Sequence, residues 1–437
     1  MIFSRANIGT FFTSVAIQGC GVVTGVVTAR LLGPASRGEL ATVLLWPIIL
    51  TNLGLMGCNW ALARQVAGDS GNESHHVCNA AAVGLAASCL YFILGYLLIP
   101  YVLPKDRIYL LLLTRFCLLL IPLDIFSQIL LGIEHGRMRW QRYNFVRASF
   151  FIFYSMFVCW IWASRKADVR WFVWAFLASH LLAVLLRLVI QRKSFASGKI
   201  HFAECIHLLR SGLPYFWATA SNLFSAQLDK ILVVSLLDAQ AAGIYAVALT
   251  FGNAQSSLGE ALGITSFAIT SNEKSSESRK TFLMETFRHS ALVSAGLGLA
   301  LSCLIPFLVR PLFGADFSAA IRPAMILAIA AALTTSSDIL NEGLRGAGRP
   351  YAGLVSQLLG TAVLAIAALL LLRKFGLVGM AWAVLVGASA QVGILVAAAA
   401  NWLQVSPSRF WPFGIEGFKA VFREMAELRS RYSRSPA

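Results

Sequence analysis

IGTFFTSVAIQGCGVVTGVVTA, residues 8–29, is a mainly apolar run that sets the pattern for the whole chain. A helix rises about 1.5 Å per residue, so about 20 residues cross a hydrocarbon core of about 30 Å. VCNAAAVGLAASCLYFILGYLLI from position 77 and AGLVSQLLGTAVLAIAALLLL from position 352 have the same character. Twelve such stretches are expected in two sets. The first comprises 8–29, 40–63, 77–100, 108–132, 144–163 and 171–190. The second comprises 212–237, 243–268, 283–310, 321–341, 351–372 and 376–400. No polar segment between them is long enough to fold alone. The first run is too long for a signal-peptide core and lacks a clear cleavage site, so it is expected to stay as the first helix.

Composition agrees. Hydrophobic residues make up 58% of the 437 and charged residues 13%, against roughly 25% charged in ordinary soluble domains. The eight cysteines are scattered, mostly within apolar runs and without a CxxC pair. They are expected to serve as small core side chains, not as a disulfide set or metal site. No cofactor is indicated, and no metal.

Between the sets lies QRKSFASGKIHFAECIHLLR, the longest internal polar stretch. It mixes basic residues with Phe195, Ile200, Phe202 and Ile206, as expected of a linker on the membrane surface. The domain organisation that follows is a six-helix lobe over 1–190, an amphipathic linker over 191–211, a second six-helix lobe over 212–400 and a basic tail over 401–437. In the tail Phe418, Phe422, Met425 and Leu428 recur at helical spacing, the pattern of an interfacial amphipathic helix.

Basic residues set the orientation. With twelve spans and the N-terminus inside, the inner side receives about twice as many Lys and Arg as the outer side, 23 against 12. Positive charge concentrates on cytoplasmic loops, so both termini are expected there, together with the 64–76 and 133–143 loops. Topology and attraction to anionic lipid headgroups then account for much of the formal net charge of +16. A nucleic-acid partner is not expected, because the basic residues occupy short loops with no binding module around them.

The chain also repeats. A shift of 205 residues lays Ile8-Gly9-Thr10-Phe11-Phe12 on Leu213-Pro214-Tyr215-Phe216-Trp217, and Arg37-Gly38-Glu39-Leu40-Ala41 on Ala242-Gly243-Ile244-Tyr245-Ala246. Six helices per half make the repeats parallel, related by an axis along the membrane normal.

TARLLGPASRGELA (28–41) resembles the first periplasmic loop of Wzx-type oligosaccharide flippases, in the multidrug/oligosaccharidyl-lipid/polysaccharide (MOP) exporter superfamily. SGLPYFWATASNLFSAQLDKILV (211–233), AGIYAVA (242–248) and LNEGLRGAGRPYAG (340–353) resemble later pieces of that family in order and spacing. The resemblance implies an all-α polytopic fold of about twelve transmembrane helices in two six-helix lobes, MATE-like, around a polar cavity. It implies translocation of a polyprenyl-diphosphate-linked oligosaccharide from the cytoplasmic to the periplasmic leaflet of a bacterial inner membrane, for O-antigen, capsule or exopolysaccharide synthesis. It further implies a monomer working beside a glycan polymerase and glycosyltransferases, with H⁺ or Na⁺ as the coupling ion if one is used. The related lipid II flippases carry two extra C-terminal helices, and this chain has a basic tail in their place.

A sugar head and a diphosphate cannot cross hydrocarbon unaided, so charged residues inside the spans are the functional candidates. Arg115, Lys230 and Arg30 are the cations suited to a diphosphate. Arg115 is the first choice because it lies deeper than Arg30, and Lys230 the second because Asp229 beside it can neutralise it. Asp124, Asp229 and Glu260 are acids with coupling or structural roles. Each has a plainer alternative. Arg30 and Arg187 can snorkel as helix-end anchors. Arg115 and Asp124 point to opposite faces unless Pro122 bends the helix. Asp229 can form a structural interhelical pair, Glu260 can be a buried neutral acid, and His180 a packing residue. Trp46, Trp60, Tyr215, Trp217 and Tyr245 can stack on sugars or simply pack.

An enzyme is not indicated, since there is no GxxxxGK[ST] phosphate loop and no HExxH. A membrane-embedded glycan polymerase would be expected to carry a large periplasmic loop, which this chain lacks. A MATE-like cation-coupled drug antiporter shares the implied fold. Three intramembrane cations against three acids do not separate it from a flippase.

Overall fold

A computed structural model describes residues 5–68, 72–103, 108–195, 198–273 and 275–410. Among them the structure is helical throughout, in the order α1 (Arg5–Gly54), α2 (Cys58–Gly68), α3 (Glu73–Val102), α4 (Ile108–Cys117), α5 (Leu120–Gly136), α6 (Trp140–Ala163), α7 (Val169–Gln191), α8 (Phe202–Leu236), α9 (Ala239–Gly252), α10 (Ser256–Asn272), α11 (Ser276–Phe313), α12 (Ile321–Gly346) and α13 (Pro350–Leu403). Eight helical stretches among the described residues are long and apolar enough to cross a membrane. Two of these, Phe12–Gly68 and Tyr351–Leu403, each hold two of the expected spans. The fold is thus the expected all-α polytopic one.

The expected loop over 30–39 is reduced to a corner. Gly33 takes φ 70°, ψ 177° inside α1, a conformation open to glycine and strained for other residues. Pro34 follows with its φ already suited to the first turn of the second arm. Gly376 does the same inside α13 with φ 54°. The expected span 40–63 is interrupted at Leu55–Gly57, where Met56 and Gly57 both have positive φ. Gly57 packs against the backbone of α8 at Gly212 and Phe216, so a side chain there would collide with main chain.

Pro122 breaks a helix as its chemistry demands, though upstream of itself. Proline cannot donate to the carbonyl four residues back and its ring crowds that position. The Leu118 carbonyl accepts instead from Ile121 N (2.9 Å). α4 therefore ends at Cys117 and α5 begins at Leu120.

The chain divides into two packed units, Met1–Thr250 with Leu308–Ala320 and Phe251–Phe307 with Ile321–Ala437. In the first unit one core joins Leu62 and Val66 of α2, Val77 and Ala80 of α3, and Ile125 and Ile129 of α5. A second core joins Leu40 and Val43 of α1, Leu113 of α4, Val158 of α6 and Phe172 of α7. Residues 202–211, expected as the end of a surface linker, are the first turns of α8. Leu208 of that segment is buried with α2 and α3.

Gly38 of α1 and Gly243 of α9, related by the 205-residue shift, meet backbone to backbone. A Cβ on Gly38 would lie 2.8 Å from Gly243 N and inside the Ala239 carbonyl, and one on Gly243 would strike the Pro34 carbonyl. Two of the four segments that carry the family resemblance, 28–41 and 242–248, are therefore direct packing partners.

In the second unit the core joins Leu283 and Phe287 of α11, Leu340 and Leu344 of α12, and Leu395 and Leu403 of α13. Phe410 is 1% exposed in that core, so packing continues past residue 400. The expected amphipathic helix of the tail lies outside the described residues. All eight cysteines are free. Cys58 and Cys117 are buried as expected, but Cys89, Cys159 and Cys303 are exposed. Their positions correct the expectation of core placement for those three; a thiol is apolar enough for the exposed faces of spanning helices.

Candidate functional site: charged groups within the spans

Arg187 was expected to snorkel toward a surface. It is instead 3% exposed. On α7 the residues Val173, Leu177, His180, Val184, Arg187 and Gln191 recur at spacings of three and four and are all buried, so the arginine belongs to the inward stripe. Its Nη1 donates to the Ser127 carbonyl (2.6 Å) and to the Ser127 hydroxyl, and its Nη2 donates to the Val146 carbonyl (2.8 Å). One guanidinium thereby ties α7 to α5 and α6. Asp124 is within electrostatic reach of Arg187 and His180, and Gln128 donates to its Oδ1 (3.3 Å). His180 shares a hydrogen bond with the Phe176 carbonyl (3.0 Å) and lies between the rings of Phe150 and Phe176. Asp124 thus belongs to a buried polar group inside the first unit. The buried periodic stripe in the sequence was the signal for Arg187.

Asp229 and Lys230 separate as their adjacent helical positions require. Asp229 is 7% exposed. Its Oδ2 accepts from the Tyr245 hydroxyl (2.8 Å) and its Oδ1 from Lys230 N (2.8 Å). The acid therefore secures α8 to α9 through Tyr245. Lys230 is half-buried, and its Nζ donates to the Ala226 carbonyl (3.1 Å) and Gln227 Oε1 (2.9 Å).

Arg30 is exposed on α1. Its Nε donates to the Leu312 carbonyl (2.7 Å) and its Nη2 to the Pro311 carbonyl. Those carbonyls close α11, where the helix dipole favours a cation.

Arg115 lies over the ring of Tyr96, 4.1 Å from its centroid, with its Nε buried and unpartnered. It is half-buried and follows the exposed Ile108 and Leu112 at helical spacing on α4. Arg115 and Asp124 are not brought together. The side chain of Glu260 lies outside the described residues. In the second unit Asp338 is exposed on α12, one turn from Glu342, which pairs with Arg345 at 2.5 Å.

At one end of the first unit the 64–76, 133–143 and 191–210 segments meet. Arg137 pairs with Glu73 and donates to the Ser194 hydroxyl (2.8 Å). Gln191 donates to Glu134 Oε1 (3.2 Å). Asn79 accepts from His201 N (2.7 Å) and donates to Glu204, and His75 Nδ1 accepts from Lys199 N (3.1 Å). Trp60 stands edge-on to His135, which also borders Trp140 and Tyr143. Burial, and the Glu204 carboxylate beside it, push the Cys205 thiol up. These contacts bring described residues of the three segments together at one end of the first unit.

A chain with this many long apolar helices is a multi-pass membrane protein. The family described as polysaccharide biosynthesis protein matches residues 4–259, more than half of the chain, and the chain belongs to that family. The fold is similar to that of the lipid II flippase MurJ in an inward closed conformation, at 14% identity and TM-score 0.73, covering 93% of this chain and 89% of that one. It is similar to a multidrug resistance MATE family transporter in an inward-facing conformation, at 13% identity and TM-score 0.74, covering 90% and 98%. A MOP superfamily transporter from Pyrococcus furiosus matches at 14% identity and TM-score 0.63, covering 93% and 95%. No curated protein sequence matches significantly.

Proposed function

We propose that this protein is a flippase that carries a polyprenyl-diphosphate-linked oligosaccharide from the cytoplasmic to the periplasmic leaflet of a bacterial inner membrane, for cell-surface polysaccharide synthesis. Its membership of the polysaccharide biosynthesis family carries this reading. The fold it shares with a lipid II flippase supports it. A MATE transporter of the same fold is known both inward-facing and outward-facing, which supports alternating access here. The fold is equally that of drug transporters, so the family match favours a glycan cargo over a drug.

The Arg115 guanidinium, the first choice on sequence, lies over the Tyr96 ring beside exposed apolar residues. Lys230 takes its place as the contact for the diphosphate. Its neighbour Asp229 is held by Tyr245, which leaves the ammonium charge unneutralised by that acid. Two of its three protons are used on its own helix, and one remains for a phosphate oxygen. Arg30 comes second, because two of its nitrogens are already committed to carbonyls of α11. A buried anion requires paired charge and hydrogen bonds.

The test is flipping of a labelled lipid-linked sugar in vesicles by purified variants. Lys230→Ala is expected to lose most activity and Lys230→Arg to keep part of it, at equal protein level. Full activity of Lys230→Ala and Arg30→Ala together would remove the cationic contact from the mechanism. In the native host, deletion of the gene is expected to leave lipid-linked oligosaccharide on the cytoplasmic leaflet. An unchanged pool with new sensitivity to cationic dyes would point to the antiporter.

Cytoplasmic placement of the network around Arg137 is checked by cysteine labelling in a cysteine-free background. An impermeant reagent on intact cells is expected to label Ala35→Cys and spare Lys199→Cys. The reverse would invert the topology.

A further inference from the structure

Arg115 has a role that none of its helical neighbours explains. It lies seven residues into α4, about 10 Å from the start of that helix, on the side where Ile108 and Leu112 are exposed. Across the groove on α3, Tyr96 is 45% exposed beside Ile93 and Leu97, which are also exposed. An exposed face this apolar meets lipid chains in a membrane protein. Its guanidinium is stacked on Tyr96 with Nε buried and unpartnered, and among the described residues it forms no ion pair.

A cation on a lipid-facing stripe is costly and calls for an anion. Side chains on a helix lean toward its N-terminus. On α4 that direction leads to the nearer membrane surface, where glycerophosphate groups lie. The planar guanidinium matches a phosphate through two parallel donors, and the groove between Ile93, Leu97, Leu112 and Leu119 offers apolar surface for acyl chains.

We propose that the α3–α4 groove, with Arg115 stacked on Tyr96 as its head, is a binding site for the phosphate of an anionic glycerophospholipid of the surrounding bilayer. The site is separate from the Lys230 contact and does not depend on the cargo being a lipid-linked sugar. Cations between spanning helices are suited to anionic headgroups, and stacking on the tyrosine fixes the guanidinium plane before a lipid arrives.

Native mass spectrometry of the full chain, released from detergent with added phosphatidylglycerol or phosphatidylcholine, tests this. Wild-type protein is expected to retain phosphatidylglycerol in preference to phosphatidylcholine. Arg115→Gln is expected to lose about tenfold in that retention, equivalent to about 1.4 kcal/mol. Arg115→Lys, which keeps the charge and loses the fork, is expected to fall between them and guards against a folding defect in Arg115→Gln. Arg170→Gln, which alters a second arginine lying over a tyrosine (Tyr109), is expected to retain phosphatidylglycerol like wild type. Equal retention of the two lipids by wild type would overturn the site, as would unchanged retention in Arg115→Gln. Loss of labelled lipid-linked sugar binding in Arg115→Gln, with phospholipid retention intact, would assign the arginine to the cargo and also overturn the proposal.

Discussion

Arg187 and Arg115 are both arginines within apolar helices of the first unit, yet their surroundings differ in kind. Arg187 is held by oxygens of two neighbouring helices: the Ser127 carbonyl and hydroxyl on α5, and the Val146 carbonyl on α6. Arg115 has an aromatic face on one side and exposed leucines around it. The first is a structural tie, because one buried guanidinium bonds α7 to both α5 and α6. The second is an open cation whose natural complement lies outside the protein. Residue type and depth alone do not separate these roles; the helix face does.

The comparison breaks most severely at Arg187. Removing one partner of a buried charged group strands the others, at a cost of about 3–5 kcal/mol. Arg187→Ala is expected to abolish recovery of folded protein or to lower its melting temperature in detergent by the largest margin of any single change. Arg187→Lys keeps a donor but cannot span two helices, so an intermediate loss is expected. A melting curve for Arg187→Ala superimposable on wild type would show that α5, α6 and α7 do not need the tie.

How much of this was legible in the sequence depends on the length scale of each feature. The spans were legible because hydrophobic length is a one-dimensional property. The corner at Gly33-Pro34 was less so: a glycine-proline pair announces a turn, but not that helix resumes at once on the other side. Pro122 announced a break whose position, at Leu118–Leu119, follows from the carbonyl four residues before it. Roles of charged side chains depend on which helices are neighbours, and sequence alone does not supply that. Asp229 and Lys230 are adjacent in the chain, yet the acid serves Tyr245 and the lysine its own preceding turn. The same applies to the amphipathic stretch around residue 205. Its apolar side was visible, but its packing on α2 and α3 was not.

A second change sharpens the contrast between satisfied and open polar groups at smaller cost. Tyr245 is 2% exposed and its hydroxyl donates to Asp229 Oδ2. Tyr245→Phe removes one donor and leaves a buried carboxylate oxygen unpaired, at a cost of about 1–3 kcal/mol. The melting temperature is expected to fall, though by less than for Arg187→Ala. Adding Asp229→Leu to Tyr245→Phe removes the stranded acceptor as well and is expected to recover part of the loss. A double variant less stable than Tyr245→Phe alone would mean that Asp229 has a further partner that matters more.

The smallest effect on stability is expected at Arg115, and its sign is the informative part. An arginine at the centre of a spanning helix costs about 2.5–3.5 kcal/mol on insertion scales and less nearer an end, as here, while stacking on an aromatic ring returns about 0.5–2 kcal/mol. Arg115→Leu adds an apolar side chain beside Ile108 and Leu112 and removes no side-chain hydrogen bond found among the described residues. In detergent free of anionic lipid, its melting temperature is therefore expected to equal or exceed that of wild type. Addition of phosphatidylglycerol is expected to raise the wild-type value and leave the variant where it was, because only a state that binds ligand is stabilised by it. A loss of stability in Arg115→Leu approaching that of Arg187→Ala, measured without added lipid, would place both arginines in the same structural class and dissolve the distinction between them.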